Sequence, residues 1–113
     1  MAEIKDYSVT ADDNNSASPN GMPENMAPSG VNNSWRESFA RVKRWYEDIN
    51  GTKSTTGSSN AYVLAAARTV TAYAQGDAYM FRANHANTGA ATLNIDSVGA
   101  VAIVNNTQSA LAA

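Results

Sequence analysis

The stretch Pro28-Ser-Gly-Val-Asn-Asn-Ser-Trp-Arg-Glu-Ser-Phe-Ala-Arg-Val-Lys-Arg-Trp-Tyr-Glu-Asp-Ile-Asn-Gly51 decides how the rest of the chain is read. It predicts a helix over residues 28–51: Ser29 or Ser34 can cap its start, Asn50-Gly51 supplies a left-handed ending, and no proline interrupts it. Trp35, Phe39, Val42, Tyr46 and Ile49 are spaced 4, 3, 4 and 3, the a/d seam of a coiled coil, with Asn32 at the preceding a position, where a buried amide sets register. The opposite side carries Arg36, Glu37, Arg41, Lys43, Arg44, Glu47 and Asp48 and reads as a solvated face, with Glu37 and Arg41 oriented for an i,i+4 pair. Two readings of the seam are open. In one, the helix lies on the chain's own β-region and the stripe is intramolecular core. In the other, identical helices meet around an axis, and large aromatics favour three chains over two because a wider bundle has more central volume to fill.

Composition bears on that choice. The hydrophobic fraction of 43% is inflated by alanine, while Asn, Ser, Thr and Gly abound, so the core of one small domain is thin and help from a partner subunit is expected. A net charge of -2 is too small to point to nucleic acid or a charged surface, and Glu37, Glu47 and Asp48 offset the basic residues beside Trp35 and Trp45. The absence of cysteine excludes disulfides and thiolate metal sites and fits folding in a reducing cell. The N-terminus lacks the apolar run of a signal peptide, and no stretch approaches the roughly 20 apolar residues of a membrane span, so membrane insertion is not expected.

Ahead of the helix, residues 1–27 read as an extended arm. The run Ala11-Asp-Asp-Asn-Asn-Ser-Ala-Ser-Pro-Asn-Gly21 cannot bury enough apolar surface to offset its own ordering and is expected to be mobile in the free chain. Pro19, Met22, Pro23, Met26 and Pro28 stiffen its second half and offer apolar side chains, which suits a peptide lying on another protein; a stiff spacer is the competing reading.

After a linker at 52–60 the period changes to two, and residues 61–113 read as a small antiparallel β-domain, one that the natural chain is free to extend. Expected strands are Ala61-Tyr-Val-Leu64, a hairpin from Thr69-Val-Thr-Ala-Tyr73 to Ala78-Tyr-Met-Phe-Arg-Ala83, and a second hairpin from Ala91-Thr-Leu-Asn-Ile95 to Val101-Ala-Ile-Val104. No catalytic, metal or cofactor site emerges. His85 is the single histidine and sits in an Asn/Gly loop, and Asp77 and Asp96 are the only acids after Asp48, so an enzyme is not expected. Asp12-Asp-Asn-Asn-Ser16 lacks the glycine and bidentate glutamate of a calcium loop.

Pro19-Asn-Gly-Met-Pro-Glu-Asn-Met-Ala-Pro-Ser-Gly-Val-Asn32, Arg41-Val-Lys-Arg-Trp-Tyr-Glu-Asp48, Ala61-Tyr-Val-Leu64 and Phe81-Arg-Ala-Asn-His-Ala-Asn-Thr-Gly-Ala-Ala-Thr-Leu-Asn-Ile95 with Val98-Gly-Ala100 together resemble the N-terminal part of tail-fibre and other receptor-binding virion proteins of tailed bacteriophages. The resemblance implies an α+β homotrimer made in the host cytoplasm and incorporated in the virion tail, with the arm, the helix as a trimeric bundle and the β-domain in that order. It implies tail attachment through the arm to another tail protein of adaptor, nozzle or baseplate type. Within residues 1–113 no distal domain of the kind that contacts the host in such proteins is expected. The alternative is a host-surface carbohydrate-binding module in which Tyr62, Tyr73 or Tyr79 stack on a glycan.

Overall fold

The computed structural model describes residues 2–113. It is α+β: among the described residues there is one α-helix, α1 (Pro28–Ile49), and a four-stranded mixed sheet of β1 (Thr56–Ser58), β2 (Ala61–Leu64), β3 (Ala91–Ile95) and β4 (Ala100–Ile103) in the order β1-β2-β3-β4. The chain divides into two compact units with the boundary between Tyr46 and Glu47.

In the N-terminal unit, α1 begins with Pro28 inside the first turn, where its missing N–H costs nothing. Neither serine caps the start: Ser29 is already helical, and Ser34 donates its hydroxyl to the carbonyl of Gly21 at 2.8 Å. The preceding residues are not extended. They form two single 3-10 turns, Ile4–Asp6 and Ala11–Asp13, and a cis Ser18–Pro19 bond, with the Met22 N–H returning to the Asn14 carbonyl at 3.0 Å. The polar run folds itself. The Asn14 side chain accepts from the Ser8 N–H at 2.9 Å and donates to the Ser8 and Thr10 carbonyls, and Asp13 accepts the Ser8 hydroxyl. Such short polar side chains substitute for backbone partners in turns, which is why this composition folds here without a core of its own.

The C-terminal unit begins in the last turn of α1, which ends where expected, with Gly51 at φ 75°. Its sheet is mixed, not antiparallel. β1 and β2 form a hairpin, β3 and β4 form another, and β2 runs parallel to β3 with Tyr62 opposite Leu93 and Leu64 opposite Ile95. The residues expected to form the hairpin 69–83 are instead the crossover that parallel neighbours require. That crossover contains no helix and no named strand; its second half is tied by backbone bonds of Met80 and Arg82 to the Asp48 and Lys53 carbonyls, and much of the rest by side chains. Asp96 accepts the Ala66 and Val70 N–H groups at 2.9 and 3.2 Å, Asp48 accepts those of Ala67 and Arg68 at 2.6 and 3.3 Å, and the Tyr73 hydroxyl accepts from the Ile95 N–H while donating to the Gly99 carbonyl. Part of the expected linker is strand β1. Gly57, at φ 95°, lies so close to Ala61 that a Cβ would stand 2.2 Å from its carbonyl oxygen.

The core is small and lies wholly in this unit. Leu64, Val70 and Ile95 form it, with Ala66, Tyr79, Phe81, Leu93 and Val98 packed against it, while Tyr62 and Ala91 are also buried.

Candidate functional site: a helix with its polar side covered

The heptad frame of the seam gives the other positions of α1 a meaning. With Asn32, Phe39 and Tyr46 at a and Trp35, Val42 and Ile49 at d, the c positions are Ser34, Arg41 and Asp48, and all three are buried. Of the side read as solvated, Arg36 and Lys43 remain exposed, but the chain covers its c positions, and Arg41 is 0% exposed. Its guanidinium donates from Nε to the Ala2 carbonyl at 2.6 Å, from Nη1 to the Tyr7 hydroxyl and to the Pro19 carbonyl at 3.2 Å, and from Nη2 to Asn20 Oδ1 at 2.9 Å. Asn20 Oδ1 also accepts the Ala2 N–H at 3.2 Å, so one amide joins the two ends of the arm at the same cation. The rigid fork of arginine suits such convergence; a lysine offers no planar set of donors.

Beside it, Arg44 pairs with Glu3 at 3.2 Å and with Glu37 at 2.7 Å, and Glu37 also reaches Arg41 Nε at 3.6 Å, the expected i,i+4 pair. Burial pushes the Arg41 guanidinium below its ordinary pKa, opposed by the negative charge of Glu3. Arg44 moves the other way because Glu37 hydrogen-bonds its charged form. Both remain cations, since an arginine starts far above neutrality.

The seam itself is open to solvent: Trp35 is 52%, Phe39 64%, Val42 53% and Tyr46 52% exposed, and Trp45 beside them is also exposed. Trp35 and Phe39 lean on each other with ring centroids 5.5 Å apart, and Lys43 stands over the Tyr46 ring. Asn32 is exposed at the N-terminal end of the stripe and Ile49 half-buried at the other. Of the arm residues, Met22 and Pro28 are exposed, whereas Pro19, Pro23 and Met26 are half-buried. Pro19 and Met22 share, with Tyr7, Ala11, Gly21 and Ser34, the wall of a cavity of about 350 Å³ between arm and helix. The sequence could not indicate Arg41: nothing local distinguishes it from Arg36 or Arg44, and its acceptors lie 21 to 39 residues away.

In the C-terminal unit, the segment that carried much of the resemblance proves to be a set of loop ties. Asn84 contacts Thr55 and Gly57, Thr88 exchanges hydrogen bonds with the Asn60 side chain, and Asn94 accepts the Gly99 N–H. His85 stacks on Tyr62 at 4.8 Å and shares a hydrogen bond with the Ser59 carbonyl, while the Tyr62 hydroxyl donates to the His85 carbonyl. Tyr79 lies under the Arg68 guanidinium. The faces of Tyr62 and Tyr79 are thus used inside the fold. No protein-family model, curated protein or solved structure matches this chain.

Proposed function

We propose that this chain is a virion structural protein, the tail-attachment and trimerisation region of a bacteriophage tail fibre. One observation carries the assembly part of this reading: α1 buries the polar c positions Ser34, Arg41 and Asp48 and leaves most of its apolar stripe in solvent. A helix of a self-sufficient monomer does the reverse, because removing an aromatic or large aliphatic side chain from water contributes about 1.5–3 kcal/mol. Further copies of the same helix supply the missing cover. Charge sets their direction. The e positions are Arg36 and Lys43, which antiparallel helices would set against each other, whereas parallel helices set them against the g positions Val31, Ser38 and Trp45.

The attachment part rests on the resemblance and on the apolar side chains of the arm, Met22 above all. Three arms in one assembly raise the effective concentration of each for its site on a neighbouring tail protein, so individually weak contacts hold. Virions grown with Met22→Asp and Met26→Asp should assemble the fibre chain as a trimer but lose fibres on purification. A full fibre complement on those virions would refute attachment through the arm.

A further inference from the structure

We propose that residues 2–22 are a clip on α1 that the chain opens as a unit, with Arg41 as its polar bolt. The decisive feature is what the clip lacks. Among the described residues of the N-terminal unit, the fully buried ones are Glu3, Gly21, Ser34 and Arg41, and no apolar side chain joins them. The clip is held by the four acceptors of Arg41, by the Glu3–Arg44 pair, and by Ser34 and Ser18, whose hydroxyls donate to the Gly21 and Gly30 carbonyls. Each of these groups regains water when the clip opens, so its net contribution is far smaller than its contact suggests. Arg41 regains hydration on opening, which offsets part of what its four hydrogen bonds contribute to the closed form. No hydrophobic core is torn, so the opening is local and leaves α1 intact.

The geometry is nonetheless specific. Tyr7, Asn20 and the Ala2 and Pro19 carbonyls meet one guanidinium from both ends of the segment, so the closed form is one conformation and not a loose collapse. The chain therefore stores its arm against its own helix and presents it by breaking chiefly polar contacts, with no fully buried apolar side chain among them. Only the purpose of opening, to free the arm for a tail protein, rests on the function proposed above; the opening is a property of this chain in solution.

Amide hydrogen exchange on the full chain measures opening without any virion. The hydrogen-bonded amides of Tyr7, Asn14 and Met22 should exchange at least about tenfold faster than those inside α1 and β3, and faster still in about 1 M salt, which screens the Glu3–Arg44 pair. Arg41→Met should accelerate the same amides by a further factor of about ten while α1 and β3 are unchanged. Arg41→Lys should behave like Arg41→Met, since it keeps the charge and loses the fork. Should Arg41→Met fail to fold, Tyr7→Phe and Asn20→Ala each remove one acceptor and should accelerate the arm by a smaller factor. Arm amides as slow as those of β3, arm exchange unaltered by these changes, or loss of α1 together with the arm would each overturn the proposal.

Discussion

Gly21 shows how closely one residue can determine the arm. A Cβ built there would stand 2.6 Å from the Asn14 carbonyl oxygen and from the Ser16 nitrogen, both backbone atoms that cannot swing aside. Gly21→Ala should therefore loosen residues 2–22, at a cost of about 1–3 kcal/mol, and be seen as faster exchange of the Met22 amide with unchanged helix content by circular dichroism. Asp48 does comparable work in the C-terminal unit. It is buried, caps two N–H groups of the crossover and pairs with Arg68 at 3.2 Å. Asp48→Asn leaves buried Arg68 with only the more distant Asp77 carboxylate at 3.7 Å, and denaturant unfolding should show a loss of about 3 kcal/mol. Tyr79 makes the opposite prediction. Among the described residues its buried hydroxyl finds no well-aligned hydrogen-bond partner, and burial pushes its pKa up, opposed by the charge of Arg68. The folded chain then keeps this proton at pH values where the unfolded chain has lost it, so stability falls as pH rises above about 10. Tyr79→Phe keeps the ring under Arg68; it should leave the melting temperature at neutral pH unchanged or raised and reduce that alkaline fall. His85 holds a loop through its stack on Tyr62, and we expect His85→Ala to cost some stability and no chemistry.

At the scale of elements, local periodicity and its limits explain what the sequence made legible. α1 was readable from start to end because its seam, its terminal glycine and its freedom from internal proline all agree. β2, β3 and β4 were readable as alternating runs. The run 69–83 alternates just as well, yet it is crossover, because its two halves do not pair with each other: Val70 donates to the Asp96 side chain, while Met80 and Arg82 donate to the Asp48 and Lys53 carbonyls. No short-range pattern reports such long-range ties. β1, with the sequence Thr-Gly-Ser, has weak strand propensity because Gly57 offsets Thr56, and pairs because of its hairpin with β2. The sides of α1 are correctly distinguished as apolar and polar, and the inference that the polar side is solvated fails at Arg41 and Asp48. If the apolar side is an interface between copies, Phe39→Asp with Val42→Asp should yield dissociated chains by sedimentation, because paired aspartates in a closed seam cost several kcal/mol. An unchanged sedimentation coefficient for that variant would place the interface elsewhere.

For the whole molecule, the uneven distribution of apolar burial is the governing fact. The described core belongs to residues beyond Glu47, while the large apolar side chains from Trp35 to Tyr46 remain in solvent. An isolated chain with that surface is incomplete, since an aromatic stripe of this extent invites association. On the function proposed above, assembly through α1 would complete it and leave the arms on the outside of each helix, available to a tail protein once their clips open. The mass of the full-length chain in solution, by light scattering across a concentration series, tests this most directly. The account predicts a species of three times the 11.9 kDa chain mass that persists on dilution. A species of 11.9 kDa at every concentration, with the stripe still exposed, would contradict it.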